Sequence, residues 1–302
     1  MNKMNLLPVF ALAGTLVSSS AFSAHIREFQ TTRLNSTAGA GVASILSTEA
    51  AILNPATAAF FAGNSASYQG YKTSLQHKNT VRDVNNDPFA KQNRSQGVFV
   101  SDSSGDLKGG VAYTSQKENH YERTRSIIHG ASAMGSKSSM GVSYNYIQDT
   151  LPTNAKDRHQ TQHQATIGLI HVLDEDMSVG AIIVDPTRTT PGEQRFIAGF
   201  QYQVAVRFVL IGDVGIDYTG NVNEDYLWRG ALQIKLFDDF YIRGGYFNDN
   251  ITKSKGNGWG AGWIGPRFGV EFAQKLSEYS STSYLYKDER IVDTSLSAII
   301  KF

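Results

Sequence analysis

The chain has no cysteine, which removes disulfide frameworks and thiol chemistry from consideration. It also lacks an excess of charge of either sign: 28 Lys and Arg stand against 27 Asp and Glu in 302 residues. Nothing in that balance points to nucleic acid. Beyond the N-terminus no apolar run is long enough for a spanning helix. The most apolar window, "AGAGVASILSTEAAILNPATAAFF", is interrupted by Glu49 and broken by Pro55. What is plentiful is glycine and tyrosine, 28 and 14 residues. Such a composition suits a soluble all-β protein, or a barrel with apolar residues toward lipid and polar ones inside.

The first residues, "MNKMNLLPVFALAGTLVSSSAFSA", place Lys3 before an apolar stretch from Leu6 to Val17 and small residues from Ala21 to Ala24. This is the layout of a secretory signal peptide over residues 1–24, too short and wrongly flanked for a spanning helix.

From about residue 65 onward a period of two takes over, the mark of a strand with one apolar and one polar face. "SSMGVSYNYIQ" sets Met140, Val142, Tyr144 and Tyr146 against serine, glycine and asparagine. "EQRFIAGFQYQV", "DYLWRGALQIKLF" and "PRFGVEFAQKL" behave in the same way. The runs are about ten residues long, which a tilted strand needs to cross a bilayer. Strands are expected near 65–77, 95–103, 107–117, 123–135, 138–149, 159–172 and 176–185. Seven more are expected near 193–204, 207–219, 225–237, 240–248, 257–264, 267–277 and 290–302. Tight connections such as "GSKSS", "LDED" and "DD" alternate with longer polar ones such as residues 78–94 and "SEYSSTSYLYKDER". A soluble sandwich has no reason to sort its loops in this way, whereas an outer-membrane barrel has short periplasmic turns and longer outer loops. The expected fold is therefore all-β, a transmembrane antiparallel barrel of about fourteen strands. Twelve is the alternative, because the corners at Ala205 and Gly265 carry weak turn signals. "TIGLIHVL" and "VGAIIV" are apolar on both parities, and packing against an internal plug would use the second apolar face.

The chain ends on "DTSLSAIIKF", with Leu296, Ala298, Ile300 and Phe302 on one parity. At the end of the last strand an outward Phe302 would lie at the periplasmic interface, where aromatic rings are favoured. Ile300 and Phe302 together resemble the targeting signal read by the barrel assembly machinery.

The segment "STAGAGVASILSTEAAILNPATAAFF" precedes the first strand. It resembles the N-terminal hatch of the long-chain fatty-acid transporter (FadL-type) family, in which small residues and a short helix lead to an Asn-Pro-Ala step. Here that step is Asn54, Pro55 and Ala56, and Pro55 forces Asn54 out of helical geometry. The family usually continues with Gly, whereas this chain has Thr57; its long outer loops form an apolar groove, whereas residues 78–94 here are polar and charged. The resemblance implies a fourteen-stranded barrel with a small helical plug, hence a hatch over residues 25–64 and a barrel over 65–302. It further implies a passive channel for small hydrophobic molecules in the outer membrane of a Gram-negative cell. A related group of barrels serves as scaffolds or partners for other envelope or secretion components, which is the competing expectation.

Inward positions on the later strands gather charge: Arg195, Asp213, Asp217, Arg229, Lys235, Arg243, Arg267, Glu271 and Lys275. They are expected either to select what passes or to buttress the wall and hold the hatch. Glu49 is the formal charge within residues 38–61, and its burial demands a partner, for which Arg229, Arg243 and Arg267 are the candidates. No enzyme is expected, nor any cofactor or metal. His120, His129, His159, His163 and His171 lack an accompanying nucleophile or ligand signature. "GNGWGAGWIG" has the glycines of a phosphate loop without its Lys-Ser/Thr or βαβ setting.

Overall fold

The structure, a computed structural model, describes residues 27–45, 49–61, 63–77, 93–118, 121–151, 158–190, 192–283 and 289–302. The segment read as a signal peptide, His120 and residues 78–92 of the longest loop lie outside these residues. Alternating sequence becomes alternating exposure, as in β2 (Arg94–Asp102), where every second residue is buried. Before it comes β1 (Ser65–His77) and after it β3 (Leu107–Glu118), β4 (Tyr121–Ala133), β5 (Ser138–Leu151), β6 (Arg158–Val172) and β7 (Met177–Val184). The second half contains β8 (Arg195–Ala205), β9 (Phe208–Ile216), β10 (Tyr226–Phe237) and β11 (Phe240–Asp249). It finishes with β12 (Ser254–Ile264), β13 (Phe268–Tyr279) and β14 (Glu289–Lys301).

Each strand pairs with its sequence neighbours, and β1 pairs antiparallel with β14 from Ser65↔Lys301 to His77↔Glu289. The sheet is thus a closed barrel of fourteen strands, which leaves no edge and satisfies the backbone internally. Both corners that kept twelve strands open are real turns. The first is assisted by a register shift between Gln203 and Ala205; in the second, Gly265 donates its amide to Phe268 O at 2.9 Å. At the end that carries both strand termini the connections are short: 103–106, 134–137, 173–176, 206–207, 238–239 and 265–267. At the opposite end they run longer, with one difference from expectation. β3 and β4 are separated there by residues 119–120 alone.

The outward face is apolar and aromatic. Tyr68, Val111, Tyr113, Met140, Phe200, Trp228, Trp259, Phe272 and Leu296 are all exposed. A soluble protein rarely exposes contiguous apolar surface of this extent. No described helix is long and apolar enough to cross a membrane; the strands make the apolar band.

The terminal residue is tied down. Phe302 donates its amide to Asn64 O at 3.0 Å and accepts from Asn64 N at 3.2 Å, so pairing continues one step past β1 and β14. The Phe302 ring is 73% exposed on the same outward row as Ile300.

Residues 27–61, as far as they are described, fill the inside. Thr31 caps the helix α1 (Thr32–Ser36) by accepting from the Leu34 amide at 3.1 Å. Gly39, at φ +88°, closes it by donating to Leu34 O at 2.6 Å. A 3-10 turn follows over Pro55–Phe60, capped by Asn54 with proline at its first position.

Candidate functional site

The site is the seam between this hatch and the barrel wall, with the cavities on either side. The seam begins with space. On β12 the inward residues are the glycines of "GNGWGAGWIG", while Trp259 and Trp263 point outward. A methyl group at Gly258 would collide with Asn35 O, and one at Gly260 would lie 2.7 Å from Ser36 Cβ. The glycine run is therefore the bed of α1, not a phosphate loop.

Polar groups fix the hatch on this bed. Asp213 of β9 accepts from the amides of Gly41 at 2.8 Å and Val42 at 3.2 Å. Arg229 of β10 donates to Gly39 O at 3.0 Å. Asn54 donates through Nδ2 to Val42 O at 2.7 Å and to Leu169 O of β6 at 3.1 Å. Its Oδ1 meanwhile accepts from Ala56 N at 3.1 Å. Pro55 and Ala56 are buried beside it, and Ser139 of β5 donates to Ala56 O. Thr57 donates to Asn54 O at 2.8 Å and so closes the turn. Lys108 holds the far end of the hatch by donating to Phe61 O at 2.6 Å.

An apolar seam accompanies these tethers. Leu34, Val42 and Leu53 of the hatch pack with Ile182, Val184, Ile197 and Leu227 of β7, β8 and β10. This is the second apolar parity of "VGAIIV" put to use. Burial of each such side chain contributes about 1.5–3 kcal/mol relative to a wet lumen. Phe29 makes a second contact, with its ring centroid 5.5 Å from Tyr71 and 6.1 Å from Phe99.

Glu49 is 2% exposed and accepts from Thr31 Oγ1 at 2.7 Å. Of the three candidate arginines, Arg243 is the one whose charge faces it, together with Arg33 of the hatch. Arg33 and Arg243 converge on Glu271, at 3.3 and 2.7 Å. Burial works against the Arg33 charge, but Glu271 and then Glu49 outweigh it and raise the guanidinium pKa. Arg195 lies 3.7 Å from Asp249 and 4.0 Å from Glu28. Lys275 donates to Gln30 Oε1 at 2.7 Å and sits 4.3 Å from the Phe247 ring centre. Lys235 is at the rim that carries the short turns, 3.9 Å from Asp238.

Two of the lumen candidates are elsewhere. Asp217 lies one residue beyond β9 in an outer loop, where its carboxylate accepts from Thr219 N at 2.8 Å. Arg267 is exposed in the turn before β13. Both were placed inside by extending alternation past the true strand ends, where the period no longer holds.

Other residues at the outer mouth gave no signal in the sequence. Arg123 of β4 binds both oxygens of Asp149, at 2.7 and 2.8 Å, and Glu193 at 2.7 Å. Arg125 and Gln164 reach the other Glu193 oxygen, at 3.2 and 2.7 Å. Glu193 belongs to the loop between β7 and β8, so this loop is drawn into the mouth. Burial would raise its pKa, but the charges of Arg123 and Arg125 prevail and hold the carboxyl down at about 2. Arg27, the first described residue, spans Glu118 at 2.9 Å and Asp293 at 2.7 Å.

The hatch divides the lumen. On the outer side remains a cavity of about 80 Å³, lined by Arg27, Arg195, Arg229 and Lys275 together with Glu193, Asp249 and Asp293. At the end with the short turns is an open vestibule of about 360 Å³ with Arg33, Arg207, Gln233 and Tyr241 in its wall. His159, His163 and His171 face outward on β6, and His163 stacks on Tyr144 at 6.0 Å. His129 points inward, buried.

No protein-family profile matches the chain, and no curated protein matches it. Solved structures do. The CymD monoaromatic hydrocarbon channel superposes with a TM-score of 0.69 over 90% of this chain and 97% of its own, at 12% identity. The toluene transporter TbuX of Ralstonia pickettii gives 0.65 over 91% and 98%, at 11% identity. A FadL homologue of Pseudomonas aeruginosa gives 0.59 over 93% and 100%, at 11% identity. The chain has the fold of these channels.

Proposed function

We propose that this chain is a passive channel of the bacterial outer membrane that admits small hydrophobic molecules. The observation that carries the reading is the apolar seam between Leu34, Val42 and Leu53 and the inward face of β7, β8 and β10. A barrel whose lumen served ions or sugars would have no use for apolar side chains there, because inner faces are polar by default. Here they line a path that a hydrophobic guest can share once the hatch shifts. Polar tethers such as Asp213 to Gly41 and Val42 are individually modest and can be replaced by water once the hatch shifts, which suits a segment that moves. The names of the fold's neighbours, hydrocarbon channels and a toluene transporter, support the same substrate class. The closed barrel with its exposed aromatic and aliphatic wall supports the membrane setting, in contact with outer-membrane lipids. Ile300 and the pinned, outward Phe302 fit recognition by the barrel assembly machinery.

A second reading has its own observation. The outer cavity is small and lined by paired charges, which suits a barrel that scaffolds another envelope protein. Uptake by proteoliposomes separates the two. A fluorescent fatty acid or a monoaromatic hydrocarbon should enter faster with the protein than without it, and a small sugar should not. Equal leak with and without protein for all three would leave the scaffold.

A further inference from the structure

The register of the first three strands places like charges opposite one another on the outward face. Lys72 is paired with Arg94, and Arg94 with Lys117. Cations directly opposite across a sheet repel, so such a row costs stability unless something neutralises it. Among the described residues the carboxylate that does so is Glu122, 3.2 Å from Lys117 at the end of the row. On the other side of the row Lys72 is paired with the neutral Thr294.

A row four residues farther along β14, opposite Gln76 rather than Lys72, is built differently. On β12, β13 and β14 the register runs Lys255↔Glu278↔Arg290, with Arg290 3.8 Å from Glu278. There an acid sits between two bases, so no cation directly faces another cation. The row on β1–β3 has no such acid between its cations.

Below these cations the surface is hollow. Gly70 lies between Lys72 and Tyr68 on the outward parity. A methyl group added to it would meet only Ser95 O at 3.4 Å and the Tyr68 hydroxyl at 4.0 Å. A groove of about 870 Å³ opens here, with Lys72, Arg94 and Lys117 at one end and Tyr68, Phe272 and Leu296 at the other. Tyr68 donates its hydroxyl to Gln96 at 3.3 Å, which marks where apolar wall gives way to polar wall. The cations stand four residues beyond Tyr68, roughly 13 Å along the strand and hence at headgroup height. They belong to the end with the long loops, which in a membrane barrel faces the outer leaflet.

We propose that this groove binds a phosphorylated acyl glycolipid of the outer leaflet. Its phosphate lies among Lys72, Arg94 and Lys117, and an acyl chain lies over Gly70 along Tyr68, Phe272 and Leu296. A phosphate carries enough charge to offset adjacent cations, and its oxygens accept from a guanidinium and ammonium groups together. The apolar half of the groove selects an amphiphile over a free anion. The site is on the lipid face and is independent of what passes through the lumen.

The test uses the full-length folded barrel in zwitterionic detergent, titrated with bisphosphorylated lipid A and read by native mass spectrometry. The wild type should retain one lipid A, and the triple variant K72Q/R94Q/K117Q should bind at least tenfold more weakly. The control K255Q/R290Q, on the row with the intervening acid, should bind like the wild type. G70L, which fills the notch and keeps every charge, should also weaken binding severalfold. Without lipid the triple variant should melt no earlier than the wild type, because it loses repulsion and no pairing beyond Glu122. Should it fail to fold, R94Q and G70L carry the comparison. Wild-type affinity in the charge variants, equal binding of dephosphorylated lipid A, or competition by equimolar inorganic phosphate would overturn the proposal.

Discussion

Arg123 Nη1 lies 2.7 Å from Glu193 Oε1, so an arginine of the barrel wall holds an outer-loop carboxylate inside the mouth. Arg125, also on β4, reaches the other Glu193 oxygen at 3.2 Å, so this strand supplies both charged anchors of the loop between β7 and β8.

Acid should therefore release this loop. The Glu193 carboxyl is held at about 2, below its ordinary value of 4.5. A depressed folded pKa means stability that is complete above the unfolded value and is lost as pH falls through the folded one. The loop should stay protected at pH 5 and above and loosen between about pH 4.5 and 2. Limited proteolysis between residues 185 and 194 at pH 3 and pH 7 measures it. Replacing Glu193 by Ala should expose the loop already at pH 7, because removing one partner of a buried pair costs about 3–5 kcal/mol. Equal cleavage of variant and wild type at pH 7 would mean the pair does not hold the loop.

Asn54→Ala removes the donor to Val42 O and Leu169 O and the cap on Ala56 N. Carbonyls left unsatisfied cost about 1–3 kcal/mol, with about 1 kcal/mol more for the cap. Hydrogen exchange at the Ala56 and Thr57 amides should speed by one to two orders of magnitude while exchange in β12 and β13 stays slow. Unchanged protection at Ala56 would show that Asn54 is not what seats this part of the hatch.

Gly258→Val puts a branched side chain where α1 rests on β12, against Asn35 O. Either α1 lifts or the strand bends, and overpacking of this kind costs about 1–3 kcal/mol. A lower melting midpoint is expected, together with new protease sensitivity near residues 32–41. Substituting the outward-facing Trp259 by Phe should leave both unchanged. A G258V barrel as stable and resistant as the wild type would contradict the seat.

These sites differ in how far the sequence exposes them. Strands were legible because lipid on one side and a polar lumen on the other impose a strict period of two, as at Met140, Val142 and Tyr144. The turn at Asn54 and Pro55 was legible, since proline dictates the geometry of its predecessor. The second apolar parity of "VGAIIV" also carried true information, because Ile182 and Val184 do meet the hatch. The glycines of β12 did not reveal the bed of α1, because a glycine run states only that something approaches closely, not what. Asp217 and Arg267 fell just past strand ends, where periodicity stops. Glu193 sits in an aperiodic loop, and its partners Arg123 and Arg125 are 70 and 68 residues away along the chain. Only the closed fold brings them together.

Phe302→Ala should lower assembly more than stability. The backbone bonds to Asn64 survive the substitution, but the exposed ring at the interface is lost. The heat-modifiable folded band in outer-membrane fractions should drop severalfold, while protein refolded in detergent melts within a few degrees of the wild type. Equal folded levels in cells would argue that the terminal ring is not read during assembly.

Closure of the lumen by the hatch is what the channel reading requires. Residues 38–53 supply the contacts to Asp213, Arg229 and the apolar faces of β7, β8 and β10. Without them the lumen, charged and polar apart from the apolar patch on β7, β8 and β10, should fill with water. The direct measurement is single-channel conductance in planar bilayers of the intact protein and of a 38–53 deletion verified as folded by its heat-modifiable mobility. Large, steady ion conductance from the deletion, against little or none from the intact barrel, is the predicted result. A folded deletion that conducts no better than the intact protein would contradict it.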